Sequence, residues 1–452
     1  MGSSSEDSGD KRRGWRRLEL SKVAFVAASV LLLFMLGVTV GRYKLFPFSL
    51  IKAGQDSIEQ VFAERSTIGK VRPEAHLRKA REDGNGVTAI NAGQMAPGLT
   101  FMSGFFDRGL EMRLIQADGS IVHRWPVRFY NVFSDTSHIK KEWVPQSDWN
   151  AEIHGAIAFP DGSVLFNFEE KGLVRMDRCG AIQWTLARMT HHSLAVSHDG
   201  GYWVPSLRTI DRASPIPALT PPYKEDTILK VSPDGKVLQE ISVLEVLFEN
   251  NLGAYLFANG PEGSGLSNWD PTHVNDVEEL SPEMATHFAQ FAAGDLLVSL
   301  RNLNMVMVVD PATRRVKWHR TGPWMDQHDP DFHADGKITV FSNNNDRTEL
   351  GSILGGSTIV EVDPVGGATR IRYGGNAKER WFTPYRGKHQ IMENGNTLIV
   401  ESHAGRVIEV TPAGDTVWKF INRYDTESVA YVIDAIRYPP GYLKVNEWAC
   451  AK

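Results

Sequence analysis

Histidine recurs at one place in a repeated strand pattern. The stretches "IHGAIAFPDGSVLFNF", "HHSLAVSHDGGYWVPS", "QHDPDFHADGKITVFSN" and "GKHQIMENGNTLIVES" each set a histidine six to eight residues ahead of a glycine turn, with an apolar strand after it. A further copy runs from "THVNDVEEL" to "LLVSLRNLN" and fits when an insertion is allowed between its histidine and its strand. The five residues are His154, His192, His273, His328 and His389, and the fifth copy also carries Asn275 and Arg301. Near neutral pH an uncharged imidazole serves as nucleophile, a protonated one as acid, and a planar guanidinium suits an oxyanion. Any one of these histidines alone reads as a hydrogen-bonded structural residue, and recurrence at one register is what favours chemistry. His191, His198, His287, His333 and His403 stand outside that register and read as structural.

A second pattern supplies the elements that would hold them. "LIQADGSIVHRW", "VRMDRCGAIQW", "LKVSPDGKVLQEI", "VVDPATRRVKWHR", "VEVDPVGGATRIRY" and "IEVTPAGDTVWKF" each read as two strands joined by a tight turn. Asp-Gly-type turns supply the positive φ angles that hairpins require. Repeats too small to bury their own sheets point to a radial array, here an all-β, six-bladed β-propeller. Equivalent positions of successive blades lie on a ring about the central channel, so the five histidines are expected to converge. Trp125, Trp184, Trp318 and Trp418 close the hairpins and read as packing between blades; the docking motifs of eight-bladed quinone-dependent dehydrogenases are absent.

The 452 residues carry a net charge of −5 and are 42% hydrophobic, enough for a large core. No basic run lies beyond the N-terminus, which argues against a nucleic-acid partner. Residues 1–22 hold Lys11, Arg12, Arg13, Arg16 and Arg17, and residues 23–41 are uncharged. That order predicts a single transmembrane helix with a cytoplasmic N-terminus and the propeller in the periplasm. A cleaved signal peptide is the competing reading, but its small-x-small site is poor here. Residues 42–85 read as a helical connector or stalk, and 86–452 as the propeller. Cys179 and Cys450 either form one disulfide in an oxidising compartment or remain two thiols. Oligomeric state is open.

"THVNDVEEL", "GDLLVSLRNLNMVMVVDP", "TGPWMDQHDPDF", "VFSNNNDR" and "GKHQIMENGNTLIVESHAGRVIEVTP" resemble the PAPS-independent arylsulfate sulfotransferase (ASST) family, in its broad ASST-like branch, over roughly residues 95–423. The resemblance implies transfer from an aryl sulfate donor to a phenolic or other hydroxyl acceptor through a sulfohistidine. His328 then matches the nucleophile, His273 and Asn275 a His-x-Asn element, Arg301 the sulfate-binding arginine, His192 the histidine of an earlier blade, and Thr383 of "WFTPYRG" a late threonine. His154 and His389 join them as substrate-binding positions. His192 or His273 would be the acid for the leaving oxygen. No cofactor motif is present, and none is expected. The sequence departs from the family pattern where serine follows His192 and across residues 245–272, read as a rim loop whose Tyr255, Phe257 and Trp269 either stack on an aryl ring or pack on the blade.

Two other functions fit the same residues. One is a non-catalytic, membrane-anchored propeller that binds a ligand or partner; the other is a metal held by the histidine ring, which a nearby Arg301 would disfavour.

Overall fold

The computed structural model of the chain describes residues 20–43, 73–107, 109–216, 219–257, 270–375 and 381–450. Contacts divide the chain into two units, Met1–Arg72 and Pro73–Lys452.

In the first unit Leu20–Tyr43 forms a 24-residue helix, and Phe25, Leu32 and Leu33 expose about seven-tenths of their surface. Side chains at 20, 21, 23, 41 and 43 lie outside the described residues, as do the basic cluster and residues 44–72. Among the described residues no helix is long and apolar enough to cross a membrane. The helical reading of "EAHLRKAREDG" is corrected. Glu74–His76 is a single 3-10 turn, and Leu77–Lys79 is a strand paired with Ser428–Ala430. Leu77 is buried in the core shared by the first two blades, and that packing outweighs the weak helical preference of the Arg/Lys/Glu-rich stretch.

The second unit is a six-bladed propeller of antiparallel sheets. Blades 2 to 5 are four consecutive strands each, beginning at Ile153, Ala195, Val274 and His328. Each copy of the turn pattern is the outer hairpin of one blade. In blade 1, for example, Gly109–Ile115 pairs with Ile121–Pro126. Blade 1 lacks the histidine pattern because its innermost strand comes from the other end of the chain. Val432–Tyr438 pairs with Leu99–Phe106 and closes the ring. A second closure adds Gly86–Ile90 as a fifth, outermost strand on Thr416–Ile421 of blade 6.

The tryptophans do join blades. Trp125 Nε1 donates to Gly162 O, Trp184 to Pro233 O and Trp418 to Ala117 O, each a turn of the following blade. Trp318 packs against the core shared with blade 5. The insertion after His273 is the connection 280–294, with a short helix Pro282–Ala285, between the first two strands of blade 4.

Cys179 and Cys450 are bonded, with Cα atoms 5.6 Å apart across 271 residues. The bond ties the tail beyond the closing strand to the outer turn of blade 2. Replacing Cys450 with serine is expected to lower stability by about 2–4 kcal/mol, mainly by freeing the unfolded chain. Denaturant unfolding checks this; an unchanged midpoint would contradict it.

Candidate functional site

The innermost strands do not run straight into the channel. Blades 1, 2, 4 and 5 each carry a register shift at the start of that strand, between Val432 and Asp434, Ile153 and Ala156, Val274 and Asp276, and His328 and Asp331. A bulge re-aims the side chains around it. Gly155, at φ 76°, belongs to one such bulge, and a Cβ there would lie 2.0 Å from His192 O. Only glycine lets blades 2 and 3 approach this closely. His192 and His273 themselves hold left-handed φ of 53° and 50°, a strained backbone of the kind that marks functional positions.

Four of the five histidines meet. The ring of His192 lies 4.3 Å from His154, 5.1 Å from His273 and 6.4 Å from His328 between centroids. His389 does not join them. Counted back from the strand turn, Gly387 and not His389 stands at the register of His328, and a Cβ on Gly387 would lie 2.4 Å from the Phe341 ring. His389 falls two residues deeper, bonded to Asp329 and Thr339. By the same count Asn275 holds the His328 register in blade 4, and His273 reaches the cluster from two residues earlier.

His328 is held as one tautomer. Asn343 Nδ2 donates to Thr383 O at 2.9 Å and Arg386 O at 2.7 Å, so its Oδ1 faces His328 Nδ1 as an acceptor at 2.7 Å. Asp326 O is a second acceptor for Nδ1 at 3.1 Å. Nδ1 therefore carries the proton, and Nε2 keeps its lone pair toward the Arg386 backbone N–H at 3.2 Å. Gln327, fully buried, anchors the peptide before it by donating to Ser299 Oγ and Met305 O, both at 3.0 Å. Burial, and next the charge of Arg301, hold the His328 imidazole well below its ordinary pKa, so it is neutral at pH 7.

The neighbours are oriented by carboxylates. Asp270 Oδ2 accepts from His273 Nδ1 at 2.6 Å, and despite burial that partner brings the Asp270 carboxyl down to about 2. Glu169 spans two blades, with its oxygens 3.0 Å from His154 Nδ1 and 3.1 Å from His192 Nδ1. Burial lowers His192 well below its usual value. His192 Nδ1 also lies 3.0 Å from His191 Nδ1, so His191, expected to be only structural, belongs to the site. Arg301 donates through Nε and Nη2 to Asn302 Oδ1, and Asn302 Nδ2 donates to Asp270 O. Nη1 of Arg301 has no hydrogen-bond partner among the described residues. Asn275 Nδ2 donates to Gln327 O at 2.7 Å, and Thr383 is buried behind Asn343. Arg386, left-handed at φ 63°, is fixed by a two-pronged pair with Glu152 at 2.8 and 2.7 Å.

Sequence reasoning missed Glu152, Glu169, Asp270, Asn343, Arg386 and Asp226, whose carboxylate lies 3.5 Å from His191 Nε2. Of these, Asn343 and Arg386 lie in quoted motifs, and the place of Asn343 fifteen residues after His328, just past the end of the neighbouring strand, was the available signal. Tyr255 and Phe257 pack on the core of blades 3 and 4, and Trp269 lies outside the described residues. The ligand atoms of His154, Glu169 and His192 lie within 4.8 Å of one another, a spacing that suits a cation.

The sequence pattern of the family described as Arylsulfotransferase (ASST) matches residues 155–423. No curated protein is similar in sequence. Among solved structures, a protein of unknown function from Bacteroides caccae is 14% identical, with a TM-score of 0.46 over 75% of this chain and 98% of its own. The hydrazine synthase of Kuenenia stuttgartiensis is 12% identical, with a TM-score of 0.41 over 73% of this chain and 80% of its own. Virginiamycin B lyase from Staphylococcus aureus is 12% identical, with a TM-score of 0.33 over 59% and 69%.

Nitrogen-15 spectra of labelled histidine are expected to keep His328 neutral, with Nδ1 protonated and Nε2 bare, as pH falls past the ordinary value of 6.5. An imidazolium signal growing in around that pH would contradict the geometry.

Proposed function

The chain belongs to the arylsulfotransferase (ASST) family, and on that premise we propose that it moves a sulfuryl group from an aryl sulfate to a phenolic or other hydroxyl acceptor through a sulfohistidine on His328. The observation that carries this reading is the locked Nδ1–H tautomer, which leaves a neutral Nε2 lone pair beside the charge of Arg301.

In the first half-reaction Nε2 attacks sulfur, giving up its long contact to the Arg386 N–H. The sulfur–oxygen bond to the aryl group breaks, and its electron pair leaves on the phenolate oxygen. A proton from His273 meets that oxygen, and Asp270 holds the His273 ring in position for it; His192, kept neutral by burial, does not supply it. His328 now carries the sulfuryl group on Nε2 and still holds its Nδ1 proton, so the ring is cationic and a good leaving group. In the second half-reaction the acceptor oxygen attacks sulfur, the N–S pair returns to Nε2, and the hydroxyl proton goes to the histidine that gave one up. Arg301 faces the negative charge on the sulfuryl oxygens throughout. Asn275 and Thr383 act behind this contact, the first on the Gln327 peptide and the second on Asn343.

The membrane anchor is part of the same proposal. Supporting it are the uncharged run 23–41 of the sequence and a disulfide of the kind that persists in oxidising compartments. Residues 1–22 would then be cytoplasmic and the propeller periplasmic. Alkaline extraction that leaves the protein in the membrane pellet, with protease reaching the propeller only from the periplasmic side, is the expected result. Release into the supernatant would contradict it.

A second reading rests on the 4.8 Å grouping of His154, Glu169 and His192, which would hold a metal ion instead. The full-length protein in detergent is expected to release nitrophenol from 4-nitrophenyl sulfate only when phenol is added, with or without EDTA. His328→Ala should abolish release, and Arg301→Ala should lower kcat/KM by about a hundred- to a thousand-fold. Activity lost in EDTA and restored by metal would favour the second reading. No release by the folded protein would favour a non-catalytic anchored propeller that binds a ligand or partner.

A further inference from the structure

A second group of ligating side chains begins on the strand that His328 opens. Asp331 and His333 lie three and five residues past His328, and His389 opens the innermost strand of blade 6. Their ligand atoms lie within 4.8 Å of one another. All three line a cavity of about 350 Å³ in the central channel, and none of His154, His192, His273 or Arg301 lines it.

The contacts around the group aim one lone pair at one carboxylate. Asp329 pairs with Lys388 Nζ at 2.6 Å through one oxygen, so it is ionised, and its other oxygen accepts from His389 Nδ1 at 2.9 Å. His389 Nε2 therefore keeps its lone pair. It lies 3.5 Å from Asp331 Oδ2, longer than a hydrogen bond between an acid and an imidazole. Thr339, fully buried and opposite Asp331 on the next strand, holds the two rings together. Its Oγ1 lies 2.7 Å from His389 Nε2 and 2.6 Å from His333 Nε2. The hydroxyl has one proton, which goes to the bare His389 nitrogen, so His333 Nε2 carries its own. An ion bound here displaces that one proton, as metal sites that take neutral imidazole do.

Distance and donor type select the ion. Ligands about 2.1 Å from a tetrahedral centre stand about 3.4 Å apart. The 3.5 Å between His389 Nε2 and Asp331 Oδ2 matches that spacing. Two imidazoles and a carboxylate form a zinc-type donor set that leaves a fourth position for water, and the cavity has room for it. Asp329 behind His389 Nδ1 is the kind of carboxylate that orients a ligating imidazole and raises its basicity. The Lys388 ammonium also lines the cavity, and its charge is met by Asp329 and, at 3.5 Å, by Asp276.

We infer that Asp331, His333 and His389 bind one zinc-type divalent cation in the central channel, with water as its fourth ligand, so that the ion joins the innermost strands of blades 5 and 6. This site is separate from the grouping of His154, Glu169 and His192, and it does not depend on sulfuryl transfer.

The test is calorimetric titration of the full-length, untagged, EDTA-treated protein in detergent with zinc chloride, with cobalt(II) as a second probe. Saturable zinc binding and the intense visible absorption of tetrahedral cobalt are expected. His333→Ala and Asp331→Asn should each weaken zinc binding at least about tenfold and remove the cobalt band, since each takes away a direct ligand. His154→Ala should leave both unchanged. Melting in EDTA near the parent temperature establishes that a variant folds, and if His333→Ala fails this, the isosteric Asp331→Asn decides. Absence of zinc binding overturns the inference. So does binding that Asp331→Asn retains, and so does binding lost in His154→Ala, which would put the ion in the other grouping.

Discussion

The hydrogen bond from His328 Nδ1 to Asn343 Oδ1 is the contact on which the site depends. It fixes which nitrogen carries the proton, and so which one keeps its lone pair. Asn343 cannot rotate to offer its amide nitrogen instead, because both of those hydrogens are used on Thr383 O and Arg386 O. The segment 383–386, from blade 6, therefore orients a side chain of blade 5, which orients the imidazole at the head of its own blade. Arg386 adds to this through its half-buried pair with Glu152 at the edge of blade 2. The geometry of His328 is thus a property of ring closure, because blades 5, 6 and 2 must all be in place before it exists.

Bulges do the rest of the positioning. A flat innermost strand would alternate its side chains between channel and blade, and the register shifts break that alternation where the histidines sit. The left-handed backbone at His273 in blade 4, and at His192 in blade 3 where the strand has no register shift, is offset by buried hydrogen bonds. Asp226 holds Thr272 Oγ1 at 2.6 Å and the Val274 amide at 2.9 Å, on either side of His273. Glu169 does the same for His192 through its amide at 3.0 Å.

Much of this was legible in the sequence. The six turn copies are the six outer hairpins, because tight turns with positive φ have a compositional signature that tertiary packing seldom overrides. The histidine register was legible too, yet it misled for His389, where the spacing is two residues short and glycine occupies the true position under the Phe341 ring. What could not be read was the layer behind the histidines. Glu169 and Asp270 act from segments whose approach is set by blade geometry, and an isolated acidic residue carries no local signal of that role. The strand Leu77–Lys79 was misread for a related reason: its partner lies some 350 residues away, at Ser428–Ala430.

The central claim is a covalent sulfuryl group on one nitrogen. Brief exposure to 4-nitrophenyl sulfate without acceptor, followed by an alkaline quench that spares phosphoramidate-like N–S bonds, digestion and mass spectrometry, tests it directly. The account predicts one added sulfur trioxide per chain on the peptide holding His328, removed when phenol is supplied before the quench. A modified peptide holding a different histidine, or turnover with no modified peptide under rapid quench, would contradict it.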